Sequence, residues 1–227
     1  MKVDGVEVIV PTLLLEKGEY SLSEWLDKGS DDTVFKKYIV EQVARIVTFL
    51  HECGIVHLDI RPANLVFFLA EHGISIIKII DFDCAREVKD VVGDVLSYEY
   101  SAPERWKSHR EGKKGEAAAF SMDIWSLGVV ICRIFNTHTT GELMLSSSRS
   151  DYTINSKVVD SIIDSSFKDA LLSDVNKFES KAYDLLNKYI LVEEGKRDKT
   201  MTDVMKHGYF NLHAISGVYG VVNYLLF

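Results

Sequence analysis

Residues 122–135 read MDIWSLGVVICRIF, a run that is apolar on nearly every face once wound into a helix. A surface helix carries one apolar stripe, whereas a helix that is apolar all round must be surrounded by other elements. The chain is therefore expected to fold around this segment, with Trp125 in the core. Asp123, near the start of the run, must be satisfied by hydrogen bonds if it is buried. With 47% hydrophobic and 26% charged residues, the sequence has enough apolar material to wrap such a helix.

The wrapping elements are expected to be mostly helical. Residues 32–53 place Phe35, Tyr38, Ile39, Val43, Ile46, Val47 and Leu50 at helical spacing, and Gly54 follows as a stop. Residues 21–28, 180–191 and 202–206 read as further helices, the last opened by a Thr200–Asp203 pattern resembling a capping box. Residues 65–69 and 75–80 are short apolar runs around a turn at His72 and Gly73, which predicts a hairpin. Residues 8–15 suggest another strand, interrupted or placed at an edge by Pro11. Residues 146–152 are polar and Ser-rich, and read as a loop. The expected fold is mainly α with a small β hairpin.

Between the long helix and the hairpin lies His57-Leu58-Asp59-Ile60-Arg61-Pro62-Ala63-Asn64. An acid and an amide five residues apart on a constrained loop can converge on one metal–phosphate centre. Asp81, 17 residues beyond Asn64 and just after the second strand, brings the oxygen chemistry that magnesium prefers. The alternative is a turn rich in Asp and Asn, since turns favour these residues. Read on their own, these residues fit such a turn at least as well as a convergent site.

These residues resemble the protein kinase superfamily. His57–Asn64 is similar to the catalytic loop H-R-D-x-x-x-x-N, and Asp81-Phe82-Asp83 to the D-F-G metal motif. Ala102-Pro103-Glu104 resembles A-P-E, and Asp123 to Gly128 resembles the D-x-W-S-x-G that opens the family's buried helix. Arg197 resembles the arginine that pairs with the A-P-E glutamate. The run Leu13-Leu14-Leu15-Glu16, followed by Gly18, resembles the adenine-binding hinge, at about residues 13–18.

The resemblance implies a kinase-like C-terminal lobe of the α+β family, truncated at the hinge. Residues 1–210 would form the domain, starting at the last N-lobe strand, and 211–227 an apolar tail. It implies Asp59 as catalytic base, with Arg61 and Ser97 assisting, and Asn64 and Asp81 as magnesium ligands. Leu15, Glu16, Gly18, Val66 and Asp81 would bind ATP. His57, Phe82, Glu104, Asp123 and Arg197 would be structural, His57 and Phe82 in an internal apolar column. Ser97 and Arg61 lean the specificity toward Ser/Thr.

Several positions depart from the pattern. No Gly-rich phosphate loop, strand lysine or partner glutamate precedes the hinge, so a separate N-lobe or a partner covering the hinge strand is an expected need. Leu58 stands where the family has arginine, Arg61 where it has lysine, and Asp83 where it has glycine. Two readings follow: ATP-dependent phosphoryl transfer to protein Ser/Thr, or, in its place, an inactive pseudokinase-like module that binds partner proteins or a fragment of a longer kinase.

The formal net charge of −8 argues against nucleic-acid binding; residues 107–114 are basic but short, and are expected to be a solvated loop. Cys53, Cys84 and Cys132 show neither zinc spacing nor a disulfide framework, which suggests a reducing, intracellular and cytoplasmic setting. Cys84 is expected to be a packing residue. No apolar run reaches the roughly 18 residues of a membrane span.

Overall fold

The fold is given by a computed structural model that describes residues 15–70, 75–93, 100–135, 172, 175 and 179–210, and the backbone of 2–3 and 6–7. The expected strand at 8–15 lies outside these residues except for Leu15, which is not in a strand. The His72-Gly73 turn, the 146–152 loop and the 211–227 tail also lie outside them.

The apolar run forms α4 (Phe120–Phe135). Every residue from Ser121 to Phe135 except Arg133 is buried. Gly128 explains how closely it is wrapped: a Cβ there would come within 2.4 Å of Ile190 Cγ2 and 2.9 Å of Leu191 Cδ2. Any larger residue would push the wall away.

Before α4 in the chain come α1 (Leu22–Lys28), α2 (Thr33–Glu52) and α3 (Pro103–Arg110). The Ser21 hydroxyl accepts from Glu24 N while the Glu24 carboxylate accepts from Ser21 N, a full capping box that starts α1. Asp32 caps α2 by accepting from the amides of Val34 and Phe35, both at 3.0 Å. Ile39, Val40, Val43 and Val47 on α2 are fully buried, and Gly54 ends the turn after it at φ +77°. After α4 come α5 (Ser180–Leu185), which widens into a π turn (Leu186–Ile190), and α6 (Met201–Met205) capped by the Thr200 hydroxyl.

The sheet content exceeds one hairpin. Leu65–Leu69 and Ser75–Ile79 pair antiparallel with Leu65 opposite Ile79, and Tyr20–Ser21 adds a third strand through Tyr20 opposite Phe67. Ile55–Val56 pairs with Arg86–Glu87, and Lys2–Val3 with Val6–Glu7. In chain order these strands are β1 (Lys2–Val3), β2 (Val6–Glu7), β3 (Tyr20–Ser21), β4 (Ile55–Val56), β5 (Leu65–Leu69), β6 (Ser75–Ile79) and β7 (Arg86–Glu87). Two-residue strands carry too little pattern to be read from sequence; they form because partners elsewhere present free backbone groups.

The basic segment 107–114 is not one solvated loop. Residues 107–110 are the last turn of α3, which Pro103 opens at its first position, where a missing amide costs nothing. Lys107, His109 and Arg110 then face the negative end of the helix dipole.

Candidate active site

The loop after β4 is held from beneath by Asp123. Its carboxylate, fully buried on α4, accepts from His57 N at 2.7 Å, Leu58 N at 2.8 Å and His51 Nε2 at 3.1 Å. The acid in the apolar helix thus gains three donors, one for nearly every lone pair it must satisfy. Sequence reading did not single out His51. Its signal was present: it falls on the buried face of α2 with Val47 and Leu50, and it stacks on Phe120 at 4.3 Å.

His57 is fully buried and ties the loop to the end of β6. Its Nδ1 accepts from Asp59 N at 3.2 Å, which leaves Nε2 as the protonated nitrogen facing Ile80 O, also at 3.2 Å. Leu58 sits at φ +65°, a left-handed conformation that costs a side-chain-bearing residue about 1–2 kcal/mol. The paired amides on either side of it hold that conformation in place.

The 3-10 turn Pro62–Asn64 folds Asn64 back onto Asp59. Asn64 Nδ2 donates to Asp59 O at 3.0 Å and to Asp59 Oδ2 at 2.7 Å. Both donors of the amide are spent on Asp59, which leaves Asn64 Oδ1 as the amide's acceptor. Ile80 N donates to Asn64 O at 2.9 Å, which places the end of β6, and so Asp81, beside this pair. Asp81 is exposed and also left-handed, at φ +65°. Asp83 has no positive φ, so the freedom of the glycine it replaces is not used here. The β4–β7 pairing and the Val88 N to Gly54 O bond at 2.8 Å hold the segment after Asp83 against the catalytic-loop stem.

Cys84 feels Asp59 and Asp81 together. Burial pushes its thiol up, and the two carboxylates push it further. Arg86 and Arg105 pull it back in part, and a raised thiol is a weaker nucleophile, which fits a packing residue.

At the other end of the site, Gly18 lies directly on Val66: a Cβ on Gly18 would be 2.2 Å from Val66 Cγ1. Glu19 N donates to Phe67 O at 2.8 Å and keeps this segment along β5. Glu16 forms an ion pair with Lys78, and Leu15 is 72% exposed. Arg61 precedes the 3-10 turn in extended backbone and makes no ion pair among the described residues. Ser97, Leu13 and Leu14 lie outside the described residues.

Phe82 requires a correction. It is 44% exposed, not core. It follows the strand end on an outward turn closed by Ala85 N to Phe82 O at 3.0 Å, and only one edge of its ring meets His57, at 4.9 Å. Trp125, by contrast, is buried.

Glu104 and Arg197, 93 residues apart, form a two-toothed pair: Nη1 to Oε1 at 2.5 Å and Nη2 to Oε2 at 3.1 Å. Arg197 also donates to Ser121 O at 3.0 Å and Val192 O at 3.1 Å, and lies 5.0 Å over the Trp125 ring. It joins α3, α4 and the segment after α5.

Among the described residues no cluster of three His, Cys, Asp or Glu side chains could hold a metal by itself. Asn64 Oδ1 and the Asp81 carboxylate suit magnesium instead, which binds through one or two protein oxygens and completes its shell with phosphates and water.

The sequence profile of the protein kinase domain matches residues 12–210. The chain is 31% identical over 127 residues to the serine/threonine-protein kinase MPS1 of Encephalitozoon cuniculi, covering 56% of this chain and 21% of that one. It is 39% identical over 130 residues to the death-associated protein kinase dapk-1 of Caenorhabditis elegans, covering 55% and 8%. With the mitogen-activated protein kinase kinase kinase 4 of Mus musculus it shares 36% over 128 residues, covering 49% and 8%. The matched region thus spans about a fifth or less of the length of these relatives. With a profile match over residues 12–210, most of its length, the chain belongs to the protein kinase family.

Proposed function

We propose that this chain carries out ATP-dependent phosphoryl transfer to a protein Ser or Thr hydroxyl. The observation that supports this most is the Asn64–Asp59 hydrogen bond beside Asp81, because it brings the acid and the amide of the loop together at one place. Asp59 orients the substrate hydroxyl and accepts its proton as the oxygen attacks the terminal phosphorus, whose bond to the bridging oxygen breaks so that ADP leaves with the electron pair. Asn64 and Asp81 would hold magnesium, which when bound neutralises charge on the phosphates. Arg61 supplies a cation two residues from Asp59, and Gly18 and Val66 shape the adenine end of the cleft. Ser97, by its place in the motif order, is assigned to assist Asp59.

A second reading is a module that binds a partner protein without catalysis. The exposed apolar side chains Leu15, Ile80 and Phe82 favour it, since a covering polypeptide would bury them. A covering polypeptide is compatible with phosphoryl transfer as well, so the two readings differ in chemistry more than in surface.

A thermal melt with and without Mg·ATP separates them. Ligand at 100 times its dissociation constant adds about 2.7 kcal/mol, a shift of roughly 5–10 °C for a chain of this size. The shift should need magnesium and vanish in Asp81→Asn. A well-folded sample with no shift would favour the binding module.

A further inference from the structure

Among the described residues the buried apolar side chains form the core around α4 and, apart from it, a smaller cluster of Val56, Val92, Ala118 and Met122. Leu58 and Val88, both partly buried, pack against the smaller one. It is assembled from β4, the loop that carries Asp59, the stretch after β7, and the segment that runs into α4. Backbone bonds fix its walls. Val88 N donates to Gly54 O at 2.8 Å, which extends the β4–β7 pairing. Lys89 N donates to Ala118 O at 2.8 Å, Ala118 N to Asp90 O at 2.7 Å and Val92 N to Glu116 O at 2.9 Å. Residues 86–92 are thus gripped by β4 on one side and by 116–118 on the other.

Leu58 is the member of this group whose own backbone argues against it. At φ +65° glycine would sit without strain, whereas a leucine resists the left-handed conformation. A turn that needed only this backbone would be better served by glycine. What the leucine adds is a branched apolar side chain taken out of water into the cluster. Its amide is held at the same time, donating to Asp123 Oδ1 at 2.8 Å. Phe120, packed against the same cluster, stacks on His51, the ring that meets the other oxygen of that carboxylate. Backbone and side chain of Leu58 are therefore both anchored, one residue before the acid.

We infer that Leu58 is a positioning residue for phosphoryl transfer: its side chain, seated in the second cluster, fixes Asp59 relative to the segment that follows Asp81. The inference rests on the reading of Asp59 as the proton acceptor. Leu58 touches neither substrate nor metal in this account and acts through the direction it gives its neighbour. A displacement of about 1 Å at a reacting group is enough to cost about 10²-fold in rate, so packing at one remove from the chemistry is felt in it. The contact is apolar, and it holds the loop to the segment without a charge on either side.

The test compares the full chain with Leu58→Gly, Leu58→Met, Val92→Ala and Val204→Ala, using Mg·ATP and a pool of Ser- and Thr-containing peptides. Leu58→Gly relaxes the backbone but empties the cluster. Its kcat should fall by about 10–100-fold with the KM for Mg·ATP unchanged. Leu58→Met, close in volume, should restore most of the rate. Val92→Ala, which empties the cluster from another segment, should lower kcat in the same way. Val204→Ala removes volume from the main core on α6 and should lower the melting temperature while keeping kcat. Hydrogen exchange without nucleotide should quicken at the amides of Val88, Lys89 and Ala118 in Leu58→Gly and stay slow along α2. Unchanged exchange at those three amides would overturn the inference, as would a kcat loss in Val204→Ala equal to that in Leu58→Gly. A native chain that transfers no phosphate defeats the phosphoryl-transfer reading and this role together. A native chain that transfers, beside a Leu58→Gly variant that transfers as fast, defeats this role alone.

Discussion

Removing the Asp123 carboxylate should destabilise the whole domain, and the side chain chosen to replace it should set how much. Asp123→Ala leaves the amides of His57 and Leu58 and the His51 ring N–H facing a dry space where an acceptor stood. A buried donor without a partner costs about 1–3 kcal/mol. Relief from burying a charge and entry of water offset part of the sum, so the expected loss is about 4 kcal/mol. Asp123→Asn should lose about half as much. His57 N uses one oxygen and Leu58 N the other, so an amide side chain satisfies one of them and turns an NH₂ toward the other. Urea denaturation followed by tryptophan fluorescence measures both variants. The slope with urea should stay unchanged, and the melting temperature of the alanine variant should fall by about 8–16 °C. An alanine loss below about 1 kcal/mol, or equal losses for the two variants, would refute the argument that this carboxylate clamps the loop.

Arg197→Lys should cost about 2–4 kcal/mol in the same denaturation experiment, because one ammonium cannot reproduce two bonds to Glu104 together with those to Ser121 O and Val192 O. Gly128→Ala should lower stability by about 1–3 kcal/mol through the clash with Ile190 and Leu191, and Ile190→Ala should lessen that added loss when the two are combined. Iodoacetamide labelling read by mass spectrometry should modify exposed Cys53 first. Cys84 should follow slowly, with a rate that climbs as pH rises, because burial and the neighbouring carboxylates keep its thiol protonated through neutral pH. Cys132, fully buried with its thiol pushed far up, should react only on unfolding.

The sequence revealed what depends on composition and spacing. The all-round apolar run became α4, the periodic segment before Gly54 became α2, and the paired apolar runs became the β5–β6 hairpin. What it did not reveal depends on distant partners. β3, β4 and β7 are two residues each and exist because of strands far along the chain. Helix α3 escaped notice because half of its eight residues are charged and its sides are not periodic; Pro103 was the available signal. At the site, Asp59, Asn64 and Asp81 were legible as oxygen-bearing residues at fixed spacing. The direction of the Asn64 amide and the left-handed turn at Asp81 were not, since they arise from packing of the 3-10 turn and the strand end. Phe82 was misjudged because an aromatic residue is core on average, whereas this one sits on an outward turn.

The central claim is that Asp59 acts on a substrate hydroxyl, and phosphoryl transfer itself tests it most directly. The full chain would be incubated with magnesium, ATP labelled at its terminal phosphate, and a mixed pool of Ser- and Thr-containing peptides, beside an Asp59→Asn variant with an unchanged melt. The account predicts label on Ser or Thr for the native chain and a loss of about 10²–10⁴-fold in the variant, the range expected for removing a positioned base. Equal labelling by both proteins would contradict it. So would no labelling at all by a native sample that Mg·ATP demonstrably stabilises.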